Sequence, residues 1–195
     1  MRVRVLLVVL VLGLSSIPAT QARAPETLTD VGAVFGGVHV YANSSSNASL
    51  DFSSMPAIVE DYTATWCESC VRVEHALNDV EETNNMQQYH FHRFIGESED
   101  PLGSQEGDDR WNDRYGERIP PTAIFNGTIK QIGSSPHGDS LQDDYNSNLE
   151  KSLQLGAGTS MLTWVAGNAE ASPSVSWNLV IDMANFPENS TIKSS

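Results

Sequence analysis

The chain has 195 residues, 39% hydrophobic and 18% charged, which is enough apolar material for one packed domain and a fragment of a second, and too much for a disordered tail. Its formal net charge of −14 sets it against nucleic acid and anionic membrane surfaces. The acidity serves solubility and calls for no basic partner.

At the N-terminus, Arg2 and Arg4 precede an apolar run over 5–14, and small and polar residues lead to Ala-Arg-Ala at 22–24. This is the pattern of a secretory signal that is removed. The run is too short to span a bilayer comfortably, so no stable membrane span is expected after cleavage. A cut after Ala24 leaves Pro25 first; a cut after Ala22 is the alternative. The first choice leaves 8 of the 11 basic residues against 25 acids, a net charge of −17. No cysteine precedes Cys67, which excludes a lipid-modified N-terminal cysteine. The expected location is extracytoplasmic: secreted, periplasmic or at the cell surface.

Residues 31–41, apolar and broken by Gly36 and Gly37, suit one edge strand, and the run 43–49 reads as a polar linker. Residues 56–64, crowded with apolar and β-favouring side chains, predict a buried strand. Val71, Val73, Leu77 and Val80 form a helical stripe within 67–82, with acids on the wet side. Strand character returns at 89–95. A helix is expected over 106–117, where Trp111 and Tyr115 stand four apart. Arg110, Arg114 and Arg118, also four apart among acids, read as a solvated face with weak ion pairs. A proline-punctuated turn then leads into a short strand that closes on Asn126-Gly127, and a last helix over 141–156 ends at Gly156. This order is α/β, a mixed central sheet flanked by helices.

Beyond 158 the pattern changes to strands: Val175, Trp177, Leu179, Ile181 and Met183 alternate with mostly polar neighbours. Two strands do not make a stable sheet alone. They either pack on the α/β domain or open a β-sandwich that this chain does not complete, and the ending of the sequence suits the second. The division expected is 1–24 signal, 25–48 edge strand and linker, 49–156 the α/β domain, and 157–195 a β segment.

Cys67 and Cys70 are the two cysteines of the chain. As a staple they are poorly placed, because a four-residue loop gives roughly 2 kcal/mol of chain-entropy stabilisation against about 4.7 for a 100-residue loop. For exchange they are well placed. Free N–H groups at the start of a helix favour a thiolate at Cys67, and Cys70, one turn on, shares its face and can resolve a mixed disulfide. Zinc use needs further ligands, and His75, His90 and His92 have none of the usual spacings. No cofactor and no metal is called for.

The stretch "VEDYTATWCESC" together with "RYGERIPPTAIFNG" resembles the thioredoxin-like superfamily: a strand, an aromatic residue and a redox pair, then a tyrosine-glycine, a cis-proline and the following strand. The likeness covers about 55–156. It implies a nucleophile at Cys67, a resolving thiol at Cys70, a flanking Trp66, a buried carboxylate at Asp61 that assists proton transfer to Cys70, and a cis-proline at Pro121 followed by Thr122. Asp61 has an alternative reading as a surface residue at a strand end. With Trp66, Pro120 and Thr122 as substrate contacts, the implied function is exported thiol-disulfide exchange. Its partners are protein thiols or disulfides and a further redox partner that recycles the pair.

Three positions depart from the family pattern. Glu68 and Ser69 lie between the cysteines, and a carboxylate beside Cys67 opposes its thiolate. His75 stands where many members have a kinking proline. Pro120 precedes the expected cis-proline and lacks the N–H that normally pairs with a substrate peptide. Two other readings compete with the enzyme: a redox-silent thioredoxin-like binding or surface module whose disulfide stays closed, and a copper carrier using both cysteines and a histidine. Four N-x-S/T sequons, at Asn43, Asn47, Asn126 and Asn189, are glycan acceptors only in a host that glycosylates exported chains.

Overall fold

The computed structural model describes residues 22–34, 40, 43–94, 96, 100–152 and 156–181. The signal region up to 21, most of the expected edge strand at 31–41, Met183 and Asn189 lie outside them. Val31 to Val34, which are described, are not in a strand.

Its elements are β1 (Glu26–Thr27), β2 (Ser46–Asp51), a 3-10 turn (Phe52–Ser54), β3 (Ala57–Thr63), α1 (Glu68–Glu81), β4 (Met86–His92), α2 (Gln105–Tyr115), β5 (Thr122–Phe125), β6 (Ile129–Ile132), α3 (Leu141–Lys151), β7 (Gly158–Val165) and β8 (Ser174–Ile181). Five strands form one mixed sheet in the order β1-β6-β5-β3-β4, and three form an antiparallel sheet in the order β2-β7-β8. The class is therefore α/β with a C-terminal β segment, as the alternation of periods predicts. Among the described residues no helix is long and apolar enough to cross a membrane.

β3 is the pivot of the larger sheet. It pairs with β4 in parallel, which requires a crossover, and α1 supplies it. On its other side β3 runs antiparallel to β5. Strand alternation sends Val59 and Asp61 to one face with Ala123 and Phe125, and Glu60 and Tyr62 to the other with Ile124 and Thr122. α1 and α3 cover the first face through Val73, Leu77, Val80, Tyr145 and Leu149. α2 covers the second, where Trp111 stacks on Tyr62 at 4.7 Å between ring centroids.

Several boundaries differ from expectation. β4 begins three residues earlier than the run 89–95, with Met86 buried against the core and His92 its last residue. α3 stops at Lys151 rather than running to Gly156: Ser152 takes an extended backbone, and its hydroxyl donates to the Leu149 carbonyl at 2.8 Å. β6 has no counterpart in the sequence reading. The solvated-face reading of the α2 arginines holds only in part, because Arg110 is 42% exposed yet has a buried partner. Arg110 pairs with the buried Glu60 carboxylate at 2.6 Å, and Arg114 donates to the Gly32 carbonyl and the Tyr115 hydroxyl, both at 2.8 Å.

The linker expected at 43–49 is in part strand β2, paired along its length with β7 from Ser46↔Trp164 to Asp51↔Thr159. The C-terminal strands are thus not a lone pair. Their register places Val175, Trp177 and Leu179 on one face with Leu162 and Trp164. The Phe52 ring lies against Gly158 at the start of β7, where a Cβ has no room. Asn126 is buried, accepting from the Ile58 N–H at 2.8 Å and donating to Ser152 Oγ at 3.0 Å, so this sequon has no free side chain in the folded protein.

Candidate functional site

β3 ends at Thr63, and residues 64–67 carry the chain into α1, with the Cys67 N–H donating to the Ala64 carbonyl at 2.9 Å. Cys67 is the N-cap residue of α1, and its thiol is joined to that of Cys70 by an S–S bond of 2.06 Å. The sulfurs therefore sit where the unpaired N–H groups and positive end of the helix favour negative charge. Both are recessed: Cys67 is 8% exposed and Cys70 1%. Ser69 Oγ stands 3.4 Å from Cys67 Sγ, while Glu68 points into solvent. Trp66 is exposed, with the Arg93 guanidinium 6.0 Å from its ring centre.

The neighbouring strand brings the prolines to the same end of the sheet. Thr122 pairs with Tyr62, so Pro121 and Pro120, the next residues back, lie where β3 releases the chain toward Cys67. The Pro120–Pro121 peptide bond is cis. The Pro121 carbonyl accepts from the Gly133 N–H at 2.8 Å, and Thr122 Oγ1 donates to the Ile119 carbonyl at 2.5 Å. Thr122 is buried and braces this loop, whereas Pro120 is half-buried and Ile119 exposed.

Asp61 is not a surface residue: it is fully buried on the α1 face of β3. Its Oδ2 lies 3.1 Å from His90 Nδ1, and its Oδ1 has no hydrogen-bond partner among the described residues. Burial pushes the Asp61 carboxyl above the usual range, against the opposing hydrogen bond and charge of His90. His90 is shifted up as well, chiefly by its bond to Asp61. Next along the same face, Thr63 Oγ1 donates to Glu74 Oε1 at 2.6 Å, and Glu74 stands one helical turn after Cys70. The two cysteines and Trp66 thus follow the C-terminal end of β3, the proline pair precedes the strand registered beside it, and Asp61 lies two residues inside that end.

Other members of the site escape sequence reasoning. Asp100, contributed by the connection between β4 and α2, accepts from the Thr65 N–H at 2.9 Å and the Leu102 N–H at 3.1 Å, and lies 3.1 Å from His92 Nδ1. Burial works against its charge, but these bonds outweigh it and hold the carboxyl below the ordinary value. The alternation of His90 and His92 along a strand is the one visible hint of a shared face. Asp100 leaves none, because only the fold brings it to residue 65. Among the described residues no group of three or more His, Cys, Asp or Glu is placed to hold a metal ion.

No family model matches the chain, and no curated protein does. Among solved structures, the crystal structure of a structural-genomics target from Agrobacterium tumefaciens is 20% identical and covers 65% of this chain and 70% of its own, at a TM-score of 0.36. That likeness is too slight to bear on either fold or function.

Proposed function

We propose that the chain is an exported, thioredoxin-like thiol-disulfide oxidoreductase that exchanges disulfides with protein substrates. The observation that carries this reading is the Cys67–Cys70 disulfide closed across the first turn of α1, with Cys67 at the N-cap. In the reduced state Cys67 is the thiolate that attacks a substrate disulfide, expelling one substrate thiolate and forming a mixed disulfide. Cys70 then attacks Cys67 Sγ, releases the second substrate thiolate and restores the internal disulfide. Its proton passes to the Asp61 carboxylate, whose buried Oδ1 has no other partner among the described residues. Trp66 offers an exposed apolar face beside the sulfurs, and the Pro120–Pro121 loop forms the edge along which a substrate strand lies.

A second reading, the redox-silent binding or surface module, is favoured by the recessed Cys67 and by the missing N–H at Pro120. Reduction of insulin by dithiothreitol separates the two. An exchange enzyme accelerates it and loses the acceleration on Cys67→Ser; a silent module leaves the rate unchanged in both forms.

A further inference from the structure

We infer that His90 is a positioning residue of the redox site, the group through which the buried Asp61 exchanges its proton with solvent each time Cys70 is deprotonated. This deepens the exchange reading and rests on it. Asp61 is sealed from solvent, so a proton accepted from Cys70 needs a way out. Its hydrogen-bond partner is His90, and the His90 side chain is 38% exposed, so one ring spans from the buried carboxylate to the surface. The two oxygens differ: Oδ1 is buried and unpartnered among the described residues, while Oδ2 lies 3.1 Å from Nδ1.

The proton balance closes without a further reagent. Cys70–SH gives its proton to the Asp61 carboxylate as its sulfur attacks the mixed disulfide, so the electrons are balanced by the departing substrate thiolate. Rotation of the protonated carboxyl presents its O–H to Nδ1 of a neutral imidazole, giving a carboxylate and an imidazolium; the imidazolium releases a proton to water. Among the described residues, no other side chain is recorded both in contact with Asp61 and open to solvent. Glu74 of α1 is engaged by Thr63, and His92 of β4 by Asp100. Glu81 of α1 bonds Gln88, and Tyr145 of α3 is buried. The charges of Glu74 and Glu81 raise the His90 pKa, while Glu74 raises and His92 lowers that of Asp61. The pair thus lies among the charges of Glu74, Glu81 and His92.

The experiment follows resolution of a mixed disulfide on the full chain. Reduced protein and the aromatic disulfide of thionitrobenzoate release one thionitrobenzoate when Cys67 attacks and a second when Cys70 closes the pair. With His90→Asn, which keeps a donor toward Asp61 but does not titrate, the second phase is expected to slow about tenfold at neutral pH and its pH profile to move to higher pH, a one-unit displacement being a factor of ten. The first phase stays unchanged. His90→Ala is expected to show the same defect and to recover in added imidazole, which a purely structural role would not allow. Superimposable pH profiles of the second phase in wild type and His90→Asn, or no recovery of His90→Ala by imidazole, overturn the inference. Absence of both phases in the wild type refutes the exchange reading itself, and the relay with it.

Discussion

Replacing Pro120 tests how a substrate lies against the site. In the loop before β5 the Ile119 carbonyl is occupied by the Thr122 hydroxyl and the Pro121 carbonyl by the Gly133 N–H. Residue 120 is left as the pairing position, and as a proline it offers an acceptor and no donor. A substrate strand laid along this edge therefore gains one hydrogen bond fewer than it would beside any other residue. One such bond is worth about 0.5 to 1.5 kcal/mol net, a factor of about two to twelve in affinity. Pro120→Val restores the donor. On a Cys70→Ser background, where the mixed disulfide at Cys67 persists, the variant is expected to capture a cysteine-containing peptide several-fold more tightly. The Cys67 thiol pKa should hardly move, because the sulfur's own surroundings are untouched. The yield and dissociation rate of the trapped complex, beside a thiol titration of each form, give the answer. Equal capture with and without the substitution means that substrates do not pair along this loop and moves the weight to the redox-silent reading.

Asp100→Asn should loosen the turn before Cys67, since the carboxylate receives the Thr65 and Leu102 N–H groups; the expected loss at neutral pH is about 1.5 to 3 kcal/mol, read from urea unfolding. Because its folded pKa is lowered, the Asp100 contribution is present above the ordinary carboxylate range and lost as pH falls through the folded value. The wild-type and variant stability curves should therefore converge in acid, and parallel curves would contradict the assignment. Export is checked by N-terminal sequencing of secreted material, expected to begin at Arg23 or Pro25; an intact Met1 on the mature form would mean that the segment is retained as an anchor.

The parts of the fold that are legible in sequence are those where one periodicity acts alone. β3 is rich in apolar and β-favouring residues despite Glu60 and Asp61 at its centre, and of the expected α1 stripe Val73, Leu77 and Val80 enter the core whereas Val71 is exposed. β6 is hidden because two of its four residues, Lys130 and Gln131, are polar and yet buried. Gln131 bonds Asp144 and Asn148 on α3, and Lys130 reaches the Tyr115 carbonyl at the end of α2, so these partners come from elements distant in the chain. β2 is hidden for a different reason: only Ala48 and Leu50 carry its apolar face, too few to stand out from a polar run until β7 is beside it. At the site, Cys67, Cys70, Trp66 and the prolines are readable as local patterns. The partners of Asp61 and of Thr65 are set by strand register and by a loop, which spacing along the chain does not encode.

The central claim is that the Cys67–Cys70 pair turns over with protein disulfides, and reduction of insulin by dithiothreitol tests it most directly. Wild-type protein at catalytic concentration is expected to shorten the lag before insulin precipitates, and Cys67→Ser at the same concentration to behave as buffer does. A wild-type chain that leaves the lag unchanged, with its disulfide reducible by the same dithiothreitol, would contradict the account, since the reduced pair would then not exchange with a protein disulfide.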